Sequence, residues 1–197
     1  MSTPIFDTFR LVGGTALSLQ IGHRESIDID LFSDINYGDI DFDQIDYSLR
    51  QRFNYVATTT MPPALGKAYF IGEDKEHSVK LDVFYTDPFI QPFIVVDTIR
   101  MASIEEIIAM KMDVIQRGGR KKDFWDLHEL LARFSIPQMI TLHEKRYPYS
   151  HDNNTMIKNL TNFEYADDDL NPICLRGKYW EFIKDDFNEI VTRLNLT

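Results

Sequence analysis

Sulfur, positive charge and long apolar runs are what this sequence has least of. A single cysteine, Cys174, in 197 residues excludes an internal disulfide and any cysteine-rich metal module. The histidines His23, His77, His128, His143 and His151 lack the His-x3-His spacing and neighbouring cysteines of a zinc site. No run is apolar enough over enough residues to span a bilayer, and nothing at the N-terminus reads as a signal peptide. A cytoplasmic protein without membrane contact is therefore expected. Lys and Arg number 21 against 31 Asp and Glu, a formal net charge of -10. Contacts to nucleic-acid phosphates draw on Lys and Arg, so this balance argues against broad nonspecific RNA or DNA binding and leaves room only for a small, local contact. Internal repeats, low-complexity tracts and long linkers are missing too.

What remains can build a real core, with 44% of residues hydrophobic and 13% aromatic. Charge is unevenly spread. From Glu25 to Asp46 there are eight acids and no Lys or Arg, whereas Lys111 to Lys122 holds five basic residues against one acid, Asp113. An acidic metal site and a basic patch together suit a nucleotide carrying its metal.

The rest of the chain is organised around Leu11 to Phe32, LVGGTALSLQIGHRESIDIDLF. Apolar Leu11 and Val12 run into Gly13 and Gly14, where absent side chains let a phosphate reach backbone N–H groups at a helix start. Thr15 is placed to cap that helix. Ile27, Ile29 and Leu31 then alternate with Ser26, Asp28 and Asp30, and a period of two puts both aspartates on one face, about 6.5 Å apart along a strand. Two carboxylates so placed can hold Mg²⁺, an ion usually bound by one or two carboxylates plus substrate phosphates.

Gly13-Gly14-Thr15, twelve residues, then Asp28-Ile29-Asp30 resembles the signature of the polymerase-β-like nucleotidyltransferases. The fuller string from Gly13 to Phe32 is similar to one branch, the AbiEii/AbiGii toxin family, and its Gly-His-Arg-x-Ser-x-Asp-x-Asp-hydrophobic-Phe portion makes the likeness specific. The resemblance implies an α+β fold, with a polymerase-β-like core, a small mixed sheet with helices, over residues 1–100. A helical domain over 101–197 would complete the active site. Members of the family usually carry helices before the glycine motif, for which this chain leaves almost no room.

Along the chain, Phe9 to Val12 reads as strand and Ser33 to Gly38 as loop. Phe42, Ile45, Leu49 and Phe53 recur at helical spacing from Asp39 to Phe53, and Asp39, Asp41 and Asp43 suit that helix's N-terminus rather than a metal. Tyr55 to Thr60, Lys67 to Ile71 and Ser78 to Tyr85 read as strands, with a break at Pro62-Pro63. Lys80 and Asp82 share a face of the last. Asp82 is the third carboxylate candidate, since nucleotidyl transfer needs a group near the attacking hydroxyl to take its proton or bind the metal that acidifies it. Taken by itself it would be an ordinary acid on a solvated strand face. Beyond the apolar patch Phe93 to Val96 everything reads as helical, ending in a stripe of Trp180, Ile183, Phe187, Ile190, Val191 and Leu194 that is core rather than cofactor box. Asp167 to Asp169 reads as a solvated loop.

The string SIEEIIAMKMDVIQRGGRKKDFWDLHEL, from Ser103, is similar to the family's helical pair. Ser103 and Glu106 suggest a capping box, and Gly118-Gly119 a stop. The resemblance places Lys111 and Asp123 in the active site, with Lys111 meeting the β- and γ-phosphates; read from pattern alone, Lys111 flanks an apolar face as a surface lysine, and Asp123 and Asp126 are acids favoured near a helix start. His23 and Arg24 are open to phosphate contact or to holding the turn, with the fork of Arg24 the better grip.

The expected catalytic set is therefore Asp28, Asp30, Asp82, Lys111 and Asp123, with Asp28, Asp30 and Asp82 on Mg²⁺. Gly13, Gly14, Thr15, Arg24, Lys80 and Lys111 are expected on the NTP. The resemblance implies transfer of a nucleoside monophosphate to a hydroxyl, such as that of a tRNA 3′ end or other RNA, by the toxin of a type IV pair with an antitoxin partner. The alternatives are a small-molecule nucleotidyltransferase of antibiotic-modifying type, and an NTP-binding module without turnover.

Overall fold

The computed structural model describes residues 1, 3–59 and 64–194. The break expected at Pro62-Pro63, and the end of the strand expected to reach Thr60, lie outside the described residues, as do the last three residues of the helical half. The chain divides into two compact units, one of Met1–Ala16 with Ser26–Ser103 and one of Leu17–Glu25 with Ile104–Thr197.

The first unit holds a seven-stranded sheet. Its strands are β1 (Arg10–Leu11), β2 (Ile29–Ser33), β3 (Tyr55–Thr58), β4 (Gly66–Gly72), β5 (Ser78–Tyr85), β6 (Ile94–Val96) and β7 (Ile99–Met101), in the order β3-β4-β5-β2-β1-β7-β6. The pairs β2 with β5 and β1 with β7 are parallel and the others antiparallel. Alternation decides which face is core: Leu31, Tyr69, Ile71, Leu81 and Val83 are buried. The helix α2 (Phe42–Arg52) buries Ile45 and Leu49, and Asp41 caps it by accepting from the Gln44 N–H at 2.9 Å. That is the helix-terminus role expected of these acids.

Two expectations change here. The alternation predicted from Ser26 onward begins only at Ile29: Ile27 is 73% exposed, so Asp28 sits just ahead of β2 rather than within it. The helical reading beyond Val96 missed a hairpin. Asp97 and Thr98 both take positive φ, 48° and 68°, the conformation that a two-residue turn between twisted strands demands, and β7 then pairs with β1. Three-residue strands carry too little alternation to be read from sequence.

The second unit is helical, with α3 (Ile104–Gln116), α4 (Lys121–Leu130), α5 (Ile136–Arg146), α6 (Asn153–Asn159), α7 (Glu164–Asp167) and α8 (Trp180–Leu194). The helix α1 (Gly13–Ile21) starts in the first unit and ends in the second. At the end of α3, Gly118 and Gly119 donate to the carbonyls of Ile115 and Val114 at 2.9 Å each, with φ of 113° and 66°. Ser135 and Gln138 form a reciprocal capping box on α5. Aromatic rings fill the interior: Phe124 meets Phe163, Trp180 and Phe187 edge-on, and Trp125 stacks on Trp180. Glu106 pairs with Arg146 where both are buried. The acids at 167–169 are not simply solvated. Asp167 accepts from Trp180 Nε1 at 2.6 Å, and Asp169 accepts the Lys121 N–H at 3.0 Å, at the N-terminus of α4. Among the described residues no helix is long and apolar enough to cross a membrane.

Candidate active site

The first unit brings its carboxylates together through register. Asp30 on β2 and Asp82 on β5 are direct partners across parallel strands, so their backbones lie about 4.8 Å apart and their side chains share a face. Lys80, two residues before Asp82 on the same face, donates from Nζ to Asp82 Oδ2 at 2.5 Å. That bond, against some burial, and the charges of Asp82, Asp30 and Asp28 hold its pKa above the ordinary 10.5. All three acids thus act on one ammonium. The other oxygen of Asp82, Oδ1, is buried without a hydrogen-bond partner. Among the described residues no three carboxylate, imidazole or thiol groups are already set as a metal cage.

Gly13 has φ of 67°, and a Cβ there would stand 2.5 Å from Asp30 Oδ2. The glycine therefore serves two needs, the left-handed turn into α1 and room for a carboxylate against it. The Val12 N–H donates to the Asp30 carbonyl at 2.9 Å, fixing the turn beside β2. Thr15 does not cap the helix, because α1 already starts at Gly13; its hydroxyl lies 2.9 Å from Ser26 Oγ and donates to the Asp28 carbonyl, tying the segment that carries Asp28.

The second unit gathers a different set of expected residues. Lys111 on α3 is 4% exposed, and its Nζ lies 2.7 Å from Asp123 Oδ1 and 2.6 Å from Asp126 Oδ2, both on α4. It is not a surface lysine. Asp126, fully buried, also accepts from Arg24 Nε at 2.5 Å, Arg24 Nη2 at 2.9 Å and lies 2.7 Å from His23 Nε2. The Arg24 fork expected to grip phosphate is spent here on a carboxylate. Burial by itself would lower the Lys111 pKa and raise those of the two acids; the opposed charges override it, so the lysine titrates above 10.5 and both aspartates below 3.8. An isolated antiparallel bridge between Arg24 and Cys174 holds the Arg24 segment: Leu175 and Glu25 N–H groups donate to the His23 and Ile173 carbonyls at 2.9 Å.

Asp126 is the hub, a role that sequence reading weighed evenly against that of an ordinary helix-start acid. Helical period carried the signal: Asp123, Asp126, Leu127 and Leu130 are three and four apart, as Ile107, Ile108, Lys111, Met112 and Ile115 are on α3, so each charge lies within an apolar stripe.

A model of the nucleotidyl transferase AbiEii toxin family of type IV toxin–antitoxin systems matches residues 2–193. The chain belongs to this family. It is a nucleotidyltransferase, and its co-substrate is an NTP. An uncharacterized protein of Aquifex aeolicus is 28% identical over 211 residues, covering 97% of this chain and 90% of that protein. Two solved structures share the fold. A putative nucleotidyltransferase from Helicobacter pylori has a TM-score of 0.60 at 20% identity, over 96% of this chain and 87% of that one. MenT4, a nucleotidyltransferase toxin of Mycobacterium tuberculosis, has a TM-score of 0.60 at 14% identity, over 94% and 76%. The family and α+β fold read from the glycine and Asp-x-Asp motifs are thus those of the AbiEii nucleotidyltransferases.

Proposed function

We propose that this nucleotidyltransferase uses Mg²⁺ to move a nucleoside monophosphate from an NTP to the hydroxyl of an RNA, a tRNA 3′ end being the preferred class, as the toxin of a type IV pair with its own antitoxin. The observation that carries the reading is Asp30 opposite Asp82 in register, with Asp28 close enough to act on the same ammonium. The donors fit the ion: carboxylate oxygens are what Mg²⁺ takes, a cation is already drawn among them, and Asp82 Oδ1 has no partner. Asp28, Asp30 and Asp82 would hold Mg²⁺, which when bound supplies charge to the phosphate oxygens.

The chain's own groups do the rest. Backbone N–H groups at the start of α1, opened by Gly13 and Gly14, receive phosphate oxygens. The acceptor hydroxyl oxygen attacks the α-phosphorus while its proton passes to Asp82, and the bond from that phosphorus to the bridging oxygen breaks to release pyrophosphate. Lys80 offers its ammonium to the triphosphate. Lys111 and Asp123 enter the reading by family pattern, Lys111 as the charge that meets the leaving pyrophosphate; Arg24 acts through Asp126, holding the cluster.

A small-molecule acceptor is the second reading, favoured by the net charge of -10, which suits few phosphate contacts. Incubation with each α-labelled NTP, Mg²⁺ and total RNA tests both. Label on RNA of tRNA size, lost in Asp30→Asn, is expected. Label only on small hydroxyl compounds would replace the acceptor, and no incorporation with any NTP would overturn the reading.

A further inference from the structure

We infer that Lys80 is an internal counter-cation that competes with the divalent ion for Asp82 and releases that carboxylate more readily when a triphosphate offers it oxygens instead. The inference rests on the reading of Asp28, Asp30 and Asp82 as the metal-binding set and concerns how that set is loaded.

Asp30 and Asp82 are paired in register on one sheet face, with Asp28 just ahead of β2, and carboxylates so placed repel one another unless a cation stands among them. The structure supplies that cation from within. Lys80 lies two residues before Asp82, so a period of two carries both side chains to the same face, and Nζ reaches Asp82 Oδ2 at 2.5 Å. The Asp82 side chain is 18% exposed and that of Lys80 is 41%, so the carboxylate is fixed while the lysine stem has solvent to swing into. A lysine is suited to this exchange, being a point charge on a flexible stem rather than a planar fork locked to two oxygens. Asp82 thus offers one oxygen held by an ammonium and one, Oδ1, that is buried and unbonded.

A divalent ion drawn to these oxygens brings two positive charges within a few ångströms of a third. Each weakens the other's hold on Asp82, and by linkage the effect is equal in both directions. A triphosphate reverses the sign, because its oxygens give the ammonium a new partner and clear Asp82 for the metal. Metal then enters with nucleotide in preference to entering by itself. An ion pair that merely braces β5 would have no such effect: its loss would loosen Asp82 and weaken metal binding.

The test uses the full chain and Mn²⁺ as the probe, titrated calorimetrically without nucleotide. Lys80→Met is expected to bind Mn²⁺ about tenfold or more tightly than the wild type, the direction set by removing a like charge at close range. Lys80→Arg, which keeps the charge, is expected near the wild type or weaker. Adding Asp30→Asn to Lys80→Met is expected to abolish the binding. Equal or weaker Mn²⁺ binding by Lys80→Met, still abolished by Asp30→Asn, overturns the inference and leaves the metal reading standing. Failure of every variant to bind Mn²⁺, with or without an NTP, overturns the metal reading itself. A second measurement needs no variant fold: the ¹⁵N resonance of the Lys80 ammonium should shift or broaden as Mg²⁺ saturates the wild type, and a resonance unmoved at saturation overturns the displacement.

Discussion

At the scale of single residues, Lys111 and Asp126 carry the largest consequences. Lys111 has two carboxylates within 2.7 Å and almost no solvent. Removing one partner from a buried ion cluster leaves the others uncompensated, which costs about 3–5 kcal/mol. Lys111→Ala should therefore lower the melting temperature by about 10 °C, at roughly 2–4 °C per kcal/mol for a chain of this size. A surface lysine would have cost almost nothing, so an unchanged melting curve would contradict the buried position. Turnover in the folded fraction should fall about a hundredfold if Lys111 meets developing charge; full activity would remove it from the reaction. The same cluster sets a pH response. The folded pKa values of Asp123 and Asp126 lie below 3.8, so the stability they confer is present above that value and is lost as pH falls through the folded values. Lys111 titrates above 10.5, so its contribution holds below that pH and is lost as pH rises past it. Urea midpoints should decline as pH falls below about 4, more shallowly in Asp126→Asn. Equal acid slopes in the two proteins would deny Asp126 its lowered pKa.

The elements make their own predictions, and the glycine turn into α1 makes the sharpest. Gly13 and Gly22, at the two ends of α1, both have positive φ, 67° and 59°. At Gly22 a Cβ meets nothing within 4 Å, whereas at Gly13 it would meet the Asp30 carboxylate at 2.5 Å. Gly22→Ala should cost only the left-handed backbone penalty, about 1–2 kcal/mol, with NTP binding intact. Gly13→Ala should carry the same penalty and also displace Asp30, so thermal stabilisation by NTP with Mg²⁺ should vanish. Equal NTP binding by both variants would separate the glycine turn from the site. How legible each element was follows its length and alternation. β5 and α2 carried enough period to be read within a few residues. β6 and β7 were too short, and the loop at 167–169 hid its role because a carboxylate that caps α4 and one in water look alike in sequence.

For the whole molecule, the segment Leu17–Glu25 belongs to the unit built otherwise from Ile104 onward. A cut after Ser103 would not yield two clean halves. It would strip the helical unit of His23 and Arg24, leaving Asp126 paired with Lys111 and Leu175 without the His23 carbonyl. Residues 104–197 expressed alone should show helical circular dichroism but no cooperative melt, and co-expression with 1–103 should restore one. A cooperative melt of 104–197 by itself would show that the Arg24 segment is dispensable. The net charge of -10 makes a companion prediction: RNA affinity should fall with salt at a shallow slope, reflecting only a few phosphate contacts.

The sequence by itself determined the family, the α+β class, the glycine turn and the acids that follow it, because these are local: glycine spacing, a period of two and a period of 3.6 are written in consecutive residues. It also placed Lys111 and Asp123 in one reactive pattern, by resemblance. Only the tertiary structure decided which charges face each other. Register across parallel strands, which no local pattern encodes, set Asp30 opposite Asp82, and helix packing turned Lys111 from an apparent surface lysine into the buried partner of Asp123 and Asp126. The role of Asp126 was settled the same way, since a carboxylate becomes a hub only when residues about a hundred positions away arrive with the cations that burial makes it need.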